Sequence, residues 1–360
     1  DFTSGIGALS TGHSHPNVIN KVVEQVNKYV HMPQQLFNIH DMSNEYTKKL
    51  LSIMPNESLN NVFYVNSGSE ATDNAIKIAR AYTKKQNIIS MKKGFHGRTY
   101  GALSVTSSNL TCKKHINPLI GGVYYCDTND INSFENILQY HTSPDEVACV
   151  IYEPVQGEGG IYSLDKDFLQ HIHNVCDEYN ILTIADEVQC GYGRTGTFWN
   201  IEQKGVNPDI LTFGKGVASG FPLAGLVSSD EIMDNIDTNF LDGGNAISLA
   251  AASGTFDVMF RDNILNNVRL KSELFYKQLV KLSCIKSLRV NGLMIGIEFF
   301  FSDKPEKVNE IVYRMNKRNI LILTCGDKGQ YIRLLPPLNV GNTECEIFLN
   351  NFREVIDEVC

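Results

Sequence analysis

Between Asn61 and Phe213 the chain repeats one unit: a short run apolar on both sides, then a stretch with apolar residues at helical spacing. The runs are NVFYV (Asn61–Val65), VACVIYE closing on Glu153, ILTIADE closing on Asp186 and Glu187, and DILTF closing on Phe213. Between the first two, Ala71, Ala75, Ile78, Ala79 and Tyr82 share a helical face. Before the third, Phe168, Ile172, Val175, Cys176 and Tyr179 predict a helix over Asp167–Tyr179. A strand apolar on both faces must be covered on both. The alternation therefore predicts an α/β core, a mainly parallel sheet flanked by helices.

Beyond about Thr255 the alternation loosens. A long helix is predicted over Asp257–Leu282, then GLMIGIEFF, a helix around Val308–Arg318, YIRLLPPL and a final helix. This order predicts a smaller α+β domain. The expected division is an N-terminal segment 1–40 packing with the small domain, a large domain 41–255, and the small domain 256–360. With 360 residues, 42% of them hydrophobic, there is apolar material for both cores.

A net charge of -8 gives no basic surface for nucleic acid or an anionic membrane. No apolar run approaches the roughly 20 residues a membrane span needs. Nine scattered cysteines without a CxxC pair predict reduced thiols in the cytoplasm or mitochondrial matrix, and no spacing predicts a metal site. The opening DFTSGIGALSTGHSHP reads as the inside of a folded region, which leaves room for a targeting peptide upstream.

In an open parallel sheet, ligands bind at the carboxyl ends of the strands. Glu153, Asp186 and Lys215 each close an apolar run there. Lys215 lies between Gly214 and Gly216, with Gly220 following. A lysine drawn into an apolar, glycine-lined pocket loses its preference for the charged form and becomes a nucleophile for imine chemistry. A buried Asp186 needs a cationic partner, which a protonated pyridine nitrogen provides. The turn NSGSE, between strand and helix, offers N–H groups to an anion. Imine lysine, ring-nitrogen carboxylate and phosphate cradle together call for pyridoxal 5'-phosphate. Singly, each has an ordinary reading: a surface lysine, a strand-end cap, a plain turn. Their joint order favours the cofactor, and no GxGxxG follows a strand to support a dinucleotide instead.

DEVQCGYGRTGTFW followed by PDILTFGKGVASGFPLAG resembles the signature of the class III aminotransferases, enzymes of fold type I that use pyridoxal phosphate. TGHSHP, NSGSEATDNAIKIAR, GFHGRTYGALSVT, IYEPVQGEGG, GLMIGIE and IRLLPPL resemble further family segments in family order. The resemblance implies that Lys215 is the Schiff-base lysine and proton shuttle and that Asp186 pairs with the ring nitrogen. Gln189 would lie by the phenolic oxygen, Val188 and Phe95 on the two ring faces, and Gly68 and Ser69 at the phosphate. Glu153 joins the cofactor-contacting set, with a buried network carboxylate as its expected character. Arg98 would clamp a substrate carboxylate and Ile6, in SGIG, would touch substrate. Glu158 and Arg333 resemble a glutamate–arginine switch that admits first an ω-amine and then 2-oxoglutarate. His13, His15 and His96 are expected to have supporting roles.

The family's threonine before GGN, which binds the neighbouring subunit's cofactor phosphate, has Leu241 in its place, with Thr238 the nearest hydroxyl and out of register. Either the contact is lost or residues are missing there. The resemblance also implies a homodimer with active sites at its interface. The expected activity is transfer of an amino group from an ω-amino acid, 4-aminobutyrate first among them, to 2-oxoglutarate. Alternatives are an acetylornithine or ornithine aminotransferase, a decarboxylase or aminomutase on the same scaffold, and a non-catalytic relative. FHGRT in place of the FWGRT of ornithine aminotransferases weighs against ornithine. Retention of Lys215, Asp186, Arg98 and Glu158 weighs against loss of catalysis.

Overall fold

The computed structural model describes residues 1–32, 40–236 and 243–359. Its strands β1 (Asn61–Val65), β2 (Asn87–Met91), β3 (Val123–Cys126) and β4 (Val147–Tyr152) are followed by a small hairpin, β5 (Val155–Gln156) and β6 (Tyr162–Ser163). Then come β7 (Leu182–Asp186), β8 (Ile210–Phe213) and β9 (Ala224–Ser228). Apart from the hairpin these form one seven-stranded sheet in the order β1-β9-β8-β7-β4-β2-β3. Neighbours from β8 across to β3 pair in parallel. Every residue of β4, β7, β8 and β9 is buried, as runs apolar on both faces require.

The sheet departs from all-parallel at β9, antiparallel to both β8 and β1. Only Gly214–Leu223 joins β8 to β9, too short for the dozen or more residues of a parallel crossover. β2, β3 and β9 carry no signal used in the sequence reading. The helix Gly68–Thr83 begins before the periodicity at Ala71 shows it, because Ser67 and Glu70 close a capping box around its first turn. Its alanines at 71, 75 and 79 are fully buried, small enough to bring the helix close onto the sheet. The helix Lys166–Tyr179 agrees with its predicted bounds to one residue.

The single helix predicted over Asp257–Leu282 is corrected to two, Ala246–Arg261 and Ile264–Leu279. The break falls at Asn263, whose φ of 48° is left-handed. Asparagine tolerates that region better than most residues, so apolar periodicity runs on across a stop that only the backbone shows. A second sheet follows, β10 (Ile285–Asn291), β11 (Met294–Phe299), β12 (Leu323–Cys325) and β13 (Tyr331–Leu334). Its order is β10-β11-β13-β12, antiparallel throughout. Helices Pro305–Lys317 and Asn342–Val359 accompany it.

The N-terminus divides its contacts. Phe2 N donates to Leu321 O at 2.9 Å, Phe2 O accepts from Leu335 N at 2.8 Å, and the Phe2 ring stacks on Phe348 at 4.3 Å. Helix Pro16–Val26 lies instead against helix Ala246–Arg261. Among the described residues no helix is long and apolar enough to cross a membrane.

Candidate active site

Strands β8, β7 and β4 are adjacent and parallel, so their carboxyl ends lie about 5 Å apart in sequence of strands. Those ends present Lys215, Asp186 and Glu153. The three line one pocket with about 490 Å³ of empty space, together with Gly68, Ser69, Phe95, Val188 and Gln189. All eight residues expected to contact a cofactor thus line one cavity. His96 and Gly97 complete the wall.

The floor is shaped by absent side chains. A Cβ at Gly68 would fall 2.8 Å from Val188 Cγ1, and one at Gly214 3.3 Å from the same atom. Val188 therefore packs its isopropyl group onto two glycines while lining the cavity. Lys215 itself holds a left-handed φ of 44°, a conformation that costs about 1–3 kcal/mol and gathers at functional sites. Its amine has no hydrogen-bond partner among the described residues. Burial is the largest influence on that amine and lowers its pKa; Glu153 opposes the shift and Arg333 adds to it. Burial thus favours the neutral form of the amine, the form that can attack a carbonyl.

Asp186 is fixed from three sides. His96 Nδ1 lies 2.7 Å from Oδ2, and Oδ1 accepts from Val188 N at 3.1 Å and Thr212 Oγ1 at 3.2 Å. A carboxylate only accepts, so Nδ1 holds the proton. His96 Nε2 is then buried with no partner among the described residues. Glu153 accepts from Phe95 N at 2.8 Å and Gly157 N at 3.0 Å. Burial, reinforced by the charge of Asp186, pushes its carboxyl up to about 7 against the influence of His96 and the two N–H groups.

At the tip of β1, Glu70 Oε2 takes the N–H groups of Asn66 and Ser67, each at 2.8 Å. The N–H groups of Gly68 and Ser69, the first of the helix, have no acceptor among the described residues and sit on the pocket wall. These two donors at a helix N-terminus, not the whole NSGSE turn, suit a phosphate. A buried acid, a desolvated amine and a cradle of free N–H groups over a glycine floor fit pyridoxal phosphate.

The four expected substrate contacts lie outside the pocket wall. Arg333, on β13, is buried and donates from Nη1 to Glu158 Oε1 at 2.7 Å, with Gln189 Oε1 at 3.4 Å. Arg98 is exposed, its guanidinium 5.7 Å from the Phe95 ring centroid. Ile6 lies in a left-handed turn, with φ of 47°, 60°, 65° and 78° at Ser4, Gly5, Ile6 and Gly7. It is 41% exposed, although a β-branched residue is rare at positive φ. The turn borders the site through Gly7, where a Cβ would stand 4.0 Å from Gln189 Cγ.

Sequence reasoning missed two residues here. His96 was given only a supporting role, and the group it supports, Asp186, was not foreseen. Thr212, the residue before Phe213 on β8, had no expected role. A buried threonine at a strand end beside an acid from the next strand was the available signal. Leu241 and Thr238 lie outside the described residues.

Comparison with known proteins agrees with this geometry. The profile of the family described as aminotransferase class-III matches residues 1–356. A 5-aminovalerate aminotransferase of Pseudomonas aeruginosa is 36% identical, covering 100% of this chain and 89% of that protein. An acetylornithine aminotransferase of Bacillus cereus is 35% identical and a 4-aminobutyrate aminotransferase of Escherichia coli 34%, each covering 99% of this chain and 89% of the relative. Among solved structures, a transaminase from a marine Virgibacillus superposes with a TM-score of 0.92 at 26% identity, covering 100% of this chain and 88% of that one. An ornithine aminotransferase from Toxoplasma gondii, with partial occupancy of pyridoxal phosphate at its active site, gives 0.88 at 26%, covering 100% and 86%. Profile, relatives and pocket agree on one conclusion: the chain belongs to the class III aminotransferases and is a pyridoxal phosphate-dependent transaminase.

Proposed function

We propose that the enzyme moves the terminal amino group of a straight-chain ω-amino acid, 4-aminobutyrate or its one-carbon-longer homologue, to 2-oxoglutarate, giving a semialdehyde and glutamate. The observation that supports this most directly is the buried Arg333 paired with Glu158 at 2.7 Å. A donor whose reacting carbon has no carboxylate needs that arginine neutralised, and the pair does so. For 2-oxoglutarate, Glu158 turns aside and Arg333 forks onto the α-carboxylate. Arg98 takes the distal carboxylate in both halves. The names of the relatives, 5-aminovalerate and 4-aminobutyrate aminotransferases among them, support the same substrate class.

Pyridoxal phosphate supplies an aldehyde carbon and an electron-accepting ring. The chain's residues do the rest. Asp186, braced by His96 and Thr212, holds positive charge at the ring nitrogen. Val188 and Phe95 confine the ring, and the N–H groups of Gly68 and Ser69 hold the phosphate. The Lys215 amine, lowered in pKa by burial, takes and returns the proton at the reacting carbon of the substrate. We place the working site at a two-fold interface between copies, where Ile6 and Arg98 would be covered.

A panel of 4-aminobutyrate, 5-aminovalerate, N-acetylornithine and ornithine with 2-oxoglutarate, scored by glutamate formed, tests the reading. The two unbranched ω-amino acids are expected to lead, and Glu158→Ala to slow the donor half-reaction while sparing that of 2-oxoglutarate. Turnover confined to N-acetylornithine would remove the proposed donor class.

A further inference from the structure

Residues directly opposed across a sheet project to the same face. In the small sheet Arg289 of β10 opposes Gly296 of β11, which opposes Arg333 of β13. One row thus holds two arginines with a glycine between them, and the loop bearing Glu158 crosses that row. Arg289 Nε donates to Gly160 O at 2.7 Å, and Arg333 Nη1 donates to Glu158 Oε1 at 2.7 Å. Over the glycine the loop touches the sheet, since a Cβ at Gly296 would stand 2.9 Å from Gly160 O. Gly326 N adds a third tie, donating to Glu158 O at 2.8 Å.

We infer that Arg289 is a positioning residue for substrate selection: it pins the backbone of the Glu158 loop so that only the Glu158 side chain moves when Arg333 changes partner. The inference rests on the switch proposed above. Glu158 must leave Arg333 in one half-reaction and return in the other. With its own carbonyl held by Gly326 N and that of Gly160 held by Arg289, side-chain rotation is the motion left to it, and the return geometry is preserved. Arg289 is itself immobilised. Its guanidinium lies 4.5 Å from the Tyr162 ring centroid and 4.9 Å from that of Tyr331, and Nη1 meets Glu298 Oε2 and Ser287 Oγ, each at 3.2 Å. Such stacking with a directed Nε–H is specific to arginine. Lysine keeps the charge and loses both.

The test measures the two half-reactions separately in holoenzyme carrying Arg289→Lys or Gly296→Ala. Loss of one charge-assisted hydrogen bond predicts about a tenfold fall in donor kcat/KM, chiefly through KM, with the 2-oxoglutarate half-reaction within about twofold of wild type. Gly296→Ala keeps Arg289 but lifts the loop, so the same signature is expected, and this variant decides the matter if Arg289→Lys does not fold. Glutarate, an unreactive dicarboxylate, should bind both variants more tightly by calorimetry, because Glu158 competes less well for Arg333. In a Glu158→Ala background Arg289→Lys should have no further effect on the donor. Equal damage to both half-reactions, or an effect that persists without Glu158, would overturn the inference. A selective Glu158→Ala beside unselective Arg289→Lys and Gly296→Ala sinks the anchoring alone. Equal damage from Glu158→Ala itself removes the switch and the anchoring together.

Discussion

His96 sets the character of the site at the scale of single residues. A carboxylate shut away from water needs its lone pairs met, and three donors reach Asp186, only one of them from a ring that can carry charge. Replacing His96 with leucine removes a hydrogen bond to a charged group, a loss of about 1.5–3 kcal/mol. Asparagine sets an amide nitrogen near the position of Nδ1 and keeps the donor. Cofactor retention by equilibrium dialysis should therefore fall about tenfold or more for His96→Leu and much less for His96→Asn. Equal losses would mean that the ring only fills space. That the eight residues lining the pocket belong together was legible because each stands at or just beyond a strand end or helix start, within a recognisable segment. The bracing role of His96 was not, because it pairs with an acid 90 residues away and the bond exists only once β2 and β7 lie in one sheet.

Elements were legible where one rule governed them alone. β4, β7 and β8 are buried on both faces, so their apolar runs could be read directly. Helix Lys166–Tyr179 has a single apolar face, and its periodicity gave its ends. Two rules compete between Ala246 and Leu279: apolar spacing continues while the backbone stops at Asn263. A left-handed residue costs about 1–2 kcal/mol unless it is glycine or a short polar side chain that bonds locally. Asn263→Val should accordingly destabilise the protein by about that amount, and Asn263→Gly should be neutral or stabilising, both read from urea midpoints. A valine variant as stable as wild type would show that the two helices can run on as the sequence pattern suggested. β9 illustrates the opposite limit. Its direction is set by the shortness of the Gly214–Leu223 connection, the same glycine-rich stretch that delivers Lys215, so site and topology share one constraint.

Across the whole molecule the buried titrating groups pull stability in opposite directions. Burial holds the Glu153 and Glu187 carboxyls up at about 7. Their contribution is complete below the ordinary value of 4.5 and is lost as pH rises through 7. His173 behaves in the reverse sense. It bridges the helix Lys166–Tyr179 to β4 through Tyr152, with Nε2 and the hydroxyl 2.8 Å apart, and burial pushes its pKa down to about 4 from 6.5. A depressed histidine stabilises the fold above 6.5, where both folded and unfolded forms are neutral, and that contribution is lost as pH falls through 6.5 towards 4. The windows overlap, so the wild-type profile alone hides the histidine, and a difference between variants exposes it. His173→Gln sets an amide near Nε2, keeps the Tyr152 contact and cannot titrate. The stability of wild type relative to this variant should be constant above pH 7 and decline by up to about 3 kcal/mol by pH 4, followed by denaturant unfolding across that range. A difference that stays flat throughout would mean that protonated His173 is accommodated beside β4, and that the core of the large sheet admits water where the packing places none.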